Sequence, residues 1–234
     1  MTKAVTAPSE WRRRAGLAGA RPGPPWLDAL REDADLTRLE QEQGHEGGWP
    51  GPSGRLELAP SALNGWACLE GDRPEPAARA AHFCRRLVWE QPDDVLGFLV
   101  GWEDGHPAEP LVEAHAAGQH FGDLGAGTVF LARRFEETGD DDDLDAAIEL
   151  HDVVVALGEG VWEPVHLLVG WGGAVLYRVT GEDAFLATAE RMADLLCETQ
   201  LPDGTWGDDD LTAGAAAALT EMADAVEARQ AVGE

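Results

Sequence analysis

The chain has 234 residues, enough for one large domain, and 44% of them are hydrophobic, so a sizeable core can be buried. Its 44 acidic residues against 17 basic ones leave a formal charge of −27, which repels phosphate and argues against nucleic acid or an anionic membrane as partner. Cys68, Cys84 and Cys197 are scattered without a C-x-x-C pair and read as reduced thiols, and no apolar run reaches membrane-spanning length. The Arg12-Arg13-Arg14 run is not followed by the apolar stretch of a signal peptide, so a cytoplasmic location is expected.

Residues 1–25 are rich in Ala, Arg, Gly and Pro and end in Arg21-Pro22-Gly23-Pro24-Pro25. They are expected as a flexible or loosely docked arm ahead of a single domain over 26–229, with 230–234 frayed. Two kinds of helix then alternate. Amphipathic, outer helices are predicted near 27–42, 76–90, 108–117, 141–157 and 182–199, with stripes such as Phe185, Ala189, Met192 and Leu196, or Leu144, Ala147, Ile148 and Val155. Helices apolar nearly all round, and therefore inner, are predicted near 60–70, 93–103, 120–137, 164–179 and 209–227. Strand signals are nearly absent.

The punctuation repeats as well. Thr138-Gly139-Asp140 and Thr180-Gly181-Glu182 each close one helix and open the next, and with Gly71 and Gly105 they give glycine spacings of 34, 34 and 42. Such a period is one helical hairpin. The fold class is therefore all-α, an α/α toroid or partial toroid of about five hairpins.

Two segments share one pattern. Gln43-Gly-His-Glu-Gly47-Gly48-Trp49 and Gln200-Leu-Pro-Asp-Gly204-Thr205-Trp206 both read Q-x-x-x-G-x-W, each where an outer helix should end. Gln can bond the free backbone groups of a helix end, Gly makes the turn and Trp packs the connection. The pattern resembles the QW motif of the squalene–hopene cyclase, oxidosqualene cyclase and prenyltransferase β-subunit superfamily. That resemblance implies stacked helical hairpins, with the motifs as tightening elements. Class II terpene cyclases of the superfamily carry D-x-D-D-T-A, whose central Asp is the proton donor. Asp208-Asp209-Asp210-Leu211-Thr212-Ala213 matches it at Asp208 and Asp210 but has Leu211 in place of the last Asp. The plainer reading is a solvated helix start. Asp140–Asp143 also spells D-x-D-D, on an outer helix, and reads as surface charge.

By analogy with α/α toroids, the functional rim is expected at the N-terminal ends of the inner helices, where Ser61, Asp93, Asp94 and His115 also fall. Catalytic candidates there are His120, Asp123, Glu163, His166, Asp208 and Asp210; substrate contacts are expected from Asn64, Trp66, Phe98, Phe121, Trp162 and Trp171. Each has a structural reading too, as a helix-start acid or core aromatic, and His151 reads as a core or boundary histidine. No H-E-x-x-H, Cys/His cluster or dinucleotide loop is present, so neither metal nor cofactor is expected. The favoured function is a small cyclase or isomerase that works by acid–base catalysis on an apolar, terpenoid or polyketide-like substrate in a Trp-lined central cavity. The alternatives are a carbohydrate-active enzyme (hydrolase, epimerase or lyase) on the same fold, or a non-catalytic scaffold binding a small molecule or protein. A homodimer is left open.

Overall fold

A computed structural model describes residues 7–18, 33–93, 96–113, 116 and 119–232. Asp94 and His115 lie outside the described residues, as does the start of the helix expected from residue 27. Helices dominate, accompanied by a four-stranded antiparallel sheet. The chain divides into two compact units: a mixed unit, Ala29–Val161, and a helical unit from Met1–Asp28 and Trp162–Glu234.

In the all-helical unit, α1 spans Pro8–Leu17. The mixed unit then runs through α2 (Asp33–Glu42), β1 (Trp49–Pro50), β2 (Leu56–Glu57), α3 (Leu58–Glu70), α4 (Pro74–Trp89), β3 (Gly97–Glu103), β4 (His106–Glu113), α5 (Phe121–Thr138) and α6 (Asp141–Ala156). The all-helical unit resumes with a short 3-10 turn, Pro164–His166, then α7 (Leu167–Thr180), α8 (Asp183–Thr199) and α9 (Asp209–Val232).

In the mixed unit, α3 and α5 are inner helices, buried over most of their length, and α4 and α6 cover them. Helix α5 ends at Gly139, whose φ of 70° is left-handed and whose N–H reaches the Phe135 carbonyl at 2.8 Å. The stripe that α6 buries is Asp143, Ala146, Ala147, Leu150, His151 and Val154. That is one position off the apolar stripe expected, and it leaves Val155 47% exposed. Two polar residues inside the buried face, Asp143 and His151, disguise its register. Asp143 is fully buried rather than part of a charged surface: it pairs with Arg134 of α5 and faces Arg85 of α4 at 3.1 Å, while Asp140 holds the same two guanidiniums. The cluster ties three helices together. Burial pushes the Asp143 carboxyl up to about 6 against the pull of Arg134 and Arg85.

Among the described residues, strands stand where helices are expected near 93–103 and 108–117. Gly97–Glu103 and His106–Glu113 are paired strands joined at Asp104-Gly105, where φ is 51° and 85°. Two successive positive φ values make a hairpin turn matched to strand twist, and Asp-Gly is a sequence suited to it. The sheet order is β1-β2-β3-β4, with Leu56 opposite Trp102 and Glu57 opposite Gly101.

In the all-helical unit, α7 and α9 are buried nearly all round and α8 buries the expected Phe185, Ala189, Met192 and Leu196. Gly181, at φ 78°, closes α7 as Gly139 closes α5. Of the four glycines in the expected period, Gly105 instead serves the strand hairpin, and Gly71 keeps an ordinary negative φ. Residues 8–17, expected within a loosely docked arm, form a helix with Trp11 completely buried against α9, and Arg12 pairs with Glu227 at 2.7 Å. Helix α9 continues to Val232, into the tail expected to fray, whose last two residues lie outside the described ones. Among the described residues, no helix is long and apolar enough to cross a membrane.

Candidate functional site

The two Q-x-x-x-G-x-W segments adopt one geometry. In the mixed unit Gln43 Nε2 donates to the Gly47 carbonyl at 2.6 Å and to the Pro76 carbonyl of α4 at 3.0 Å. In the all-helical unit Gln200 Nε2 donates to the Gly204 carbonyl and to the Arg14 carbonyl of α1, each at 2.9 Å. Trp49 and Trp206 are both buried, and each indole N–H reaches back 10 residues, to Leu39 and Leu196, at 2.9 Å. Gly47 and Gly204 sit at φ 96° and 87°, and a side chain on either would strike the backbone of α4 or α1. These are packing devices, as their composition suggested.

Each Trp backbone N–H is then taken by a hydroxyl in an inner helix, Ser61 Oγ or Thr212 Oγ1, at 2.9 Å. The hydroxyl follows its Trp by 12 positions in the mixed unit and by 6 in the other. The additional residues form β1, β2 and the loop between them, and they change the acid that precedes the inner helix. Asp208 is exposed and caps α9 by accepting the Leu211 N–H at 2.9 Å. Its counterpart Glu57 is buried at 7% exposure and accepts from Ser53, from Oγ at 2.5 Å and from the backbone N–H at 3.3 Å. The Gly51 backbone folds so closely over this carboxylate that a Cβ there would lie 1.9 Å from Oε2.

Glu57 acts electrostatically on Asp123, in the first turn of α5. Asp123 is pushed up to about 6, first by burial, with His120 pulling it back and the Glu57 charge adding to the rise. Its backbone N–H bonds the His120 carbonyl at 3.0 Å. The structure thus brings together two predicted residues, His120 and Asp123, with one that the sequence reading missed, Glu57. Two carboxyl groups and an imidazole thus stand at the starts of adjacent inner helices, with the Asp123 carboxyl poised near 6.

The remaining candidates do not join them. Asp210 is exposed on the first turn of α9. Glu163 is exposed beside the 3-10 turn, and His166 is buried at the start of α7. Trp66, Phe98, Phe121 and Trp171 are buried to 3% exposure or less and serve as core; the Trp66 indole N–H bonds Glu70 at 3.2 Å. Asn64 is partly exposed on α3. Trp162 lies under Arg191, 4.0 Å from the guanidinium carbon, beside a cleft of about 470 Å³ along α8. Among the described residues no group of three or more His, Cys, Asp or Glu could hold a metal ion. Comparison with protein-family models, curated proteins and solved structures gives no match to this chain.

Proposed function

We propose that the chain is an acid–base catalyst that isomerises or cyclises a small molecule, with Asp123 as proton donor and Glu57 as the accepting carboxylate. The observation that carries this reading is the Asp123 carboxyl, raised to about 6 beside a second, buried carboxylate. A donor must hold its proton at working pH, and among the sequence candidates Asp123 combines a raised pKa with an acid partner. His120, at the start of α5, is the third group within the cluster. The helical hairpins are read as part of an α/α toroid of the terpene-cyclase kind, supported by the two matching Gln–Gly–Trp devices. An apolar, terpenoid or polyketide-like substrate comes from that resemblance.

A carbohydrate-active enzyme is the second reading, favoured by the carboxyl pair itself, since glycoside chemistry uses an acid and a base of this kind. Panels of polyprenyl and of glycoside substrates separate the two. Asp123→Asn is expected to lower turnover by about 10²–10⁴-fold with the fold intact. Wild-type activity should fall as pH rises through about 6, where Asp123 loses its proton. Substrate is not needed for a first test: the Asp123 carboxyl carbon should titrate near pH 6 by NMR, and lower in Glu57→Gln. An ordinary carboxylate midpoint, or full turnover in Asp123→Asn, sinks the reading.

A further inference from the structure

We propose that Ser53 is a positioning residue for the Glu57 carboxylate: it holds Oε1, so that Oε2 is the oxygen that takes the substrate proton. The inference rests on the acid–base reading above and supplies the group that orients its base. A carboxylate that takes a proton from a bound molecule must be kept from turning, because a misplacement of about 1 Å can cost about 10²-fold in rate.

The β1–β2 loop treats the two oxygens of Glu57 differently. Ser53 puts two donors on one of them, its Oγ at 2.5 Å and its backbone N–H at 3.3 Å, both to Oε1. The Arg55 N–H donates to the Ser53 Oγ at 3.2 Å, which commits the hydroxyl proton to Glu57. Oε2 accepts from no described residue, and Glu57 keeps 7% of its surface exposed. Gly51 leaves room for this second oxygen, since a Cβ there would lie 1.9 Å from it. The loop is itself braced. The Gly51 N–H reaches the Arg55 carbonyl at 2.8 Å, the Gly54 N–H reaches the Gly51 carbonyl at 2.9 Å, and the Arg55 guanidinium pairs with Glu103 of β3 at 3.0 Å. A hydroxyl on a braced loop loses little further freedom when it holds a carboxylate. The all-helical unit has no such insert, and its matching acid, Asp208, caps a helix in solvent. The holding groups occur where the acid is buried.

The test uses the full chain and needs no substrate. The Asp123 carboxyl carbon is titrated by NMR in the wild type, Ser53→Ala, Ser53→Thr and Gly51→Ala. Ser53 is exposed, so Ser53→Ala should fold. Once released, the Glu57 carboxylate turns towards water and its charge acts less on Asp123. The Asp123 midpoint, about 6 in the wild type, should therefore fall in Ser53→Ala, though by no more than in Glu57→Gln, because burial still raises it. Ser53→Thr keeps the hydroxyl and should keep the wild-type midpoint. Gly51→Ala should lower the midpoint as well, because its methyl takes the place of Oε2. On a polyprenyl or glycoside that the wild type turns over, kcat in Ser53→Ala should drop about tenfold or more. The loss of activity with rising pH should move to lower pH along with the Asp123 midpoint, and Ser53→Thr should restore both. A raised midpoint that Ser53→Ala and Gly51→Ala leave unchanged, whatever happens to the melting temperature, makes Ser53 a turn-stabilising residue only and overturns the proposal. An ordinary midpoint in the wild type is a different result: it sinks the acid–base reading, and the positioning role with it.

Discussion

The mixed and the all-helical units carry the same Gln–Gly–Trp device, down to the two carbonyls each Gln bonds and the inner-helix hydroxyl that takes each Trp N–H. What differs is the insert after the Trp. In the all-helical unit the chain turns at once into α9, and the acid before that helix caps it in solvent. In the mixed unit the β1–β2 excursion covers the equivalent acid, Glu57, and sets its charge against Asp123. Counting back from the matched left-handed glycines, Gly139 and Gly181, the counterpart of Asp123 is Val165, which is 61% exposed. One scaffold thus appears twice, and among the described residues only one copy carries buried acids. A shared packing motif therefore says nothing by itself about chemistry.

The comparison breaks most easily at its shared part. Trp49→Ala and Trp206→Ala should each cost about 3–5 kcal/mol in denaturant unfolding, as large buried aromatics do. A copy that tolerates the change is not a packing device. Gln43→Ala and Gln200→Ala each strip a donor from two carbonyls and should cost about 1–3 kcal/mol. The unshared part gives smaller and more selective effects. Asp123→Asn should raise the melting temperature more at pH 7 than at pH 4. A native carboxyl raised to about 6 contributes stability that is present below the unfolded value and lost as pH rises through about 6. Equal gains at both pH values would contradict burial as the cause. Asp208→Ala removes a helix cap, worth about 1 kcal/mol. Asp210→Asn should cost at most about 0.3–1 kcal/mol and leave activity intact, because the residue is an exposed helix-start acid.

What could be read from the sequence was local. The Thr-Gly pairs at 138 and 180, the Gln–Gly–Trp segments and the alternation of inner and outer helices are decided within a few residues by capping and apolar period. The β3–β4 hairpin is also local in origin, but Phe98–Trp102 is apolar enough to pass for a buried helix, and Gly105 falls in the glycine period of the helix ends. The candidate site was only half legible. His120 and Asp123 stand out as acid and imidazole at an inner helix start. Glu57 does not, because its burial depends on a loop closing over it and its influence on a residue far along the chain. Helix α1 was hidden for a similar reason: Trp11 and Ala15 mark a narrow apolar edge on an Arg-rich segment, and only α9 gives that edge something to pack on.

Helix α1 also constrains the order of assembly. Its Arg14 carbonyl is held by Gln200, 186 positions later, so the contact closes a very long loop. During synthesis α1 emerges well before α8 and α9, the helices it docks on. Loop-closure entropy grows only slowly with length, by about 0.6 kcal/mol per doubling, so this long reach is affordable at equilibrium. Its effect falls on rates, because non-local contacts must be formed before they stabilise anything. Docking of α1 is therefore expected as a slow, late step in the refolding of the all-helical unit, after the local helical hairpins have formed.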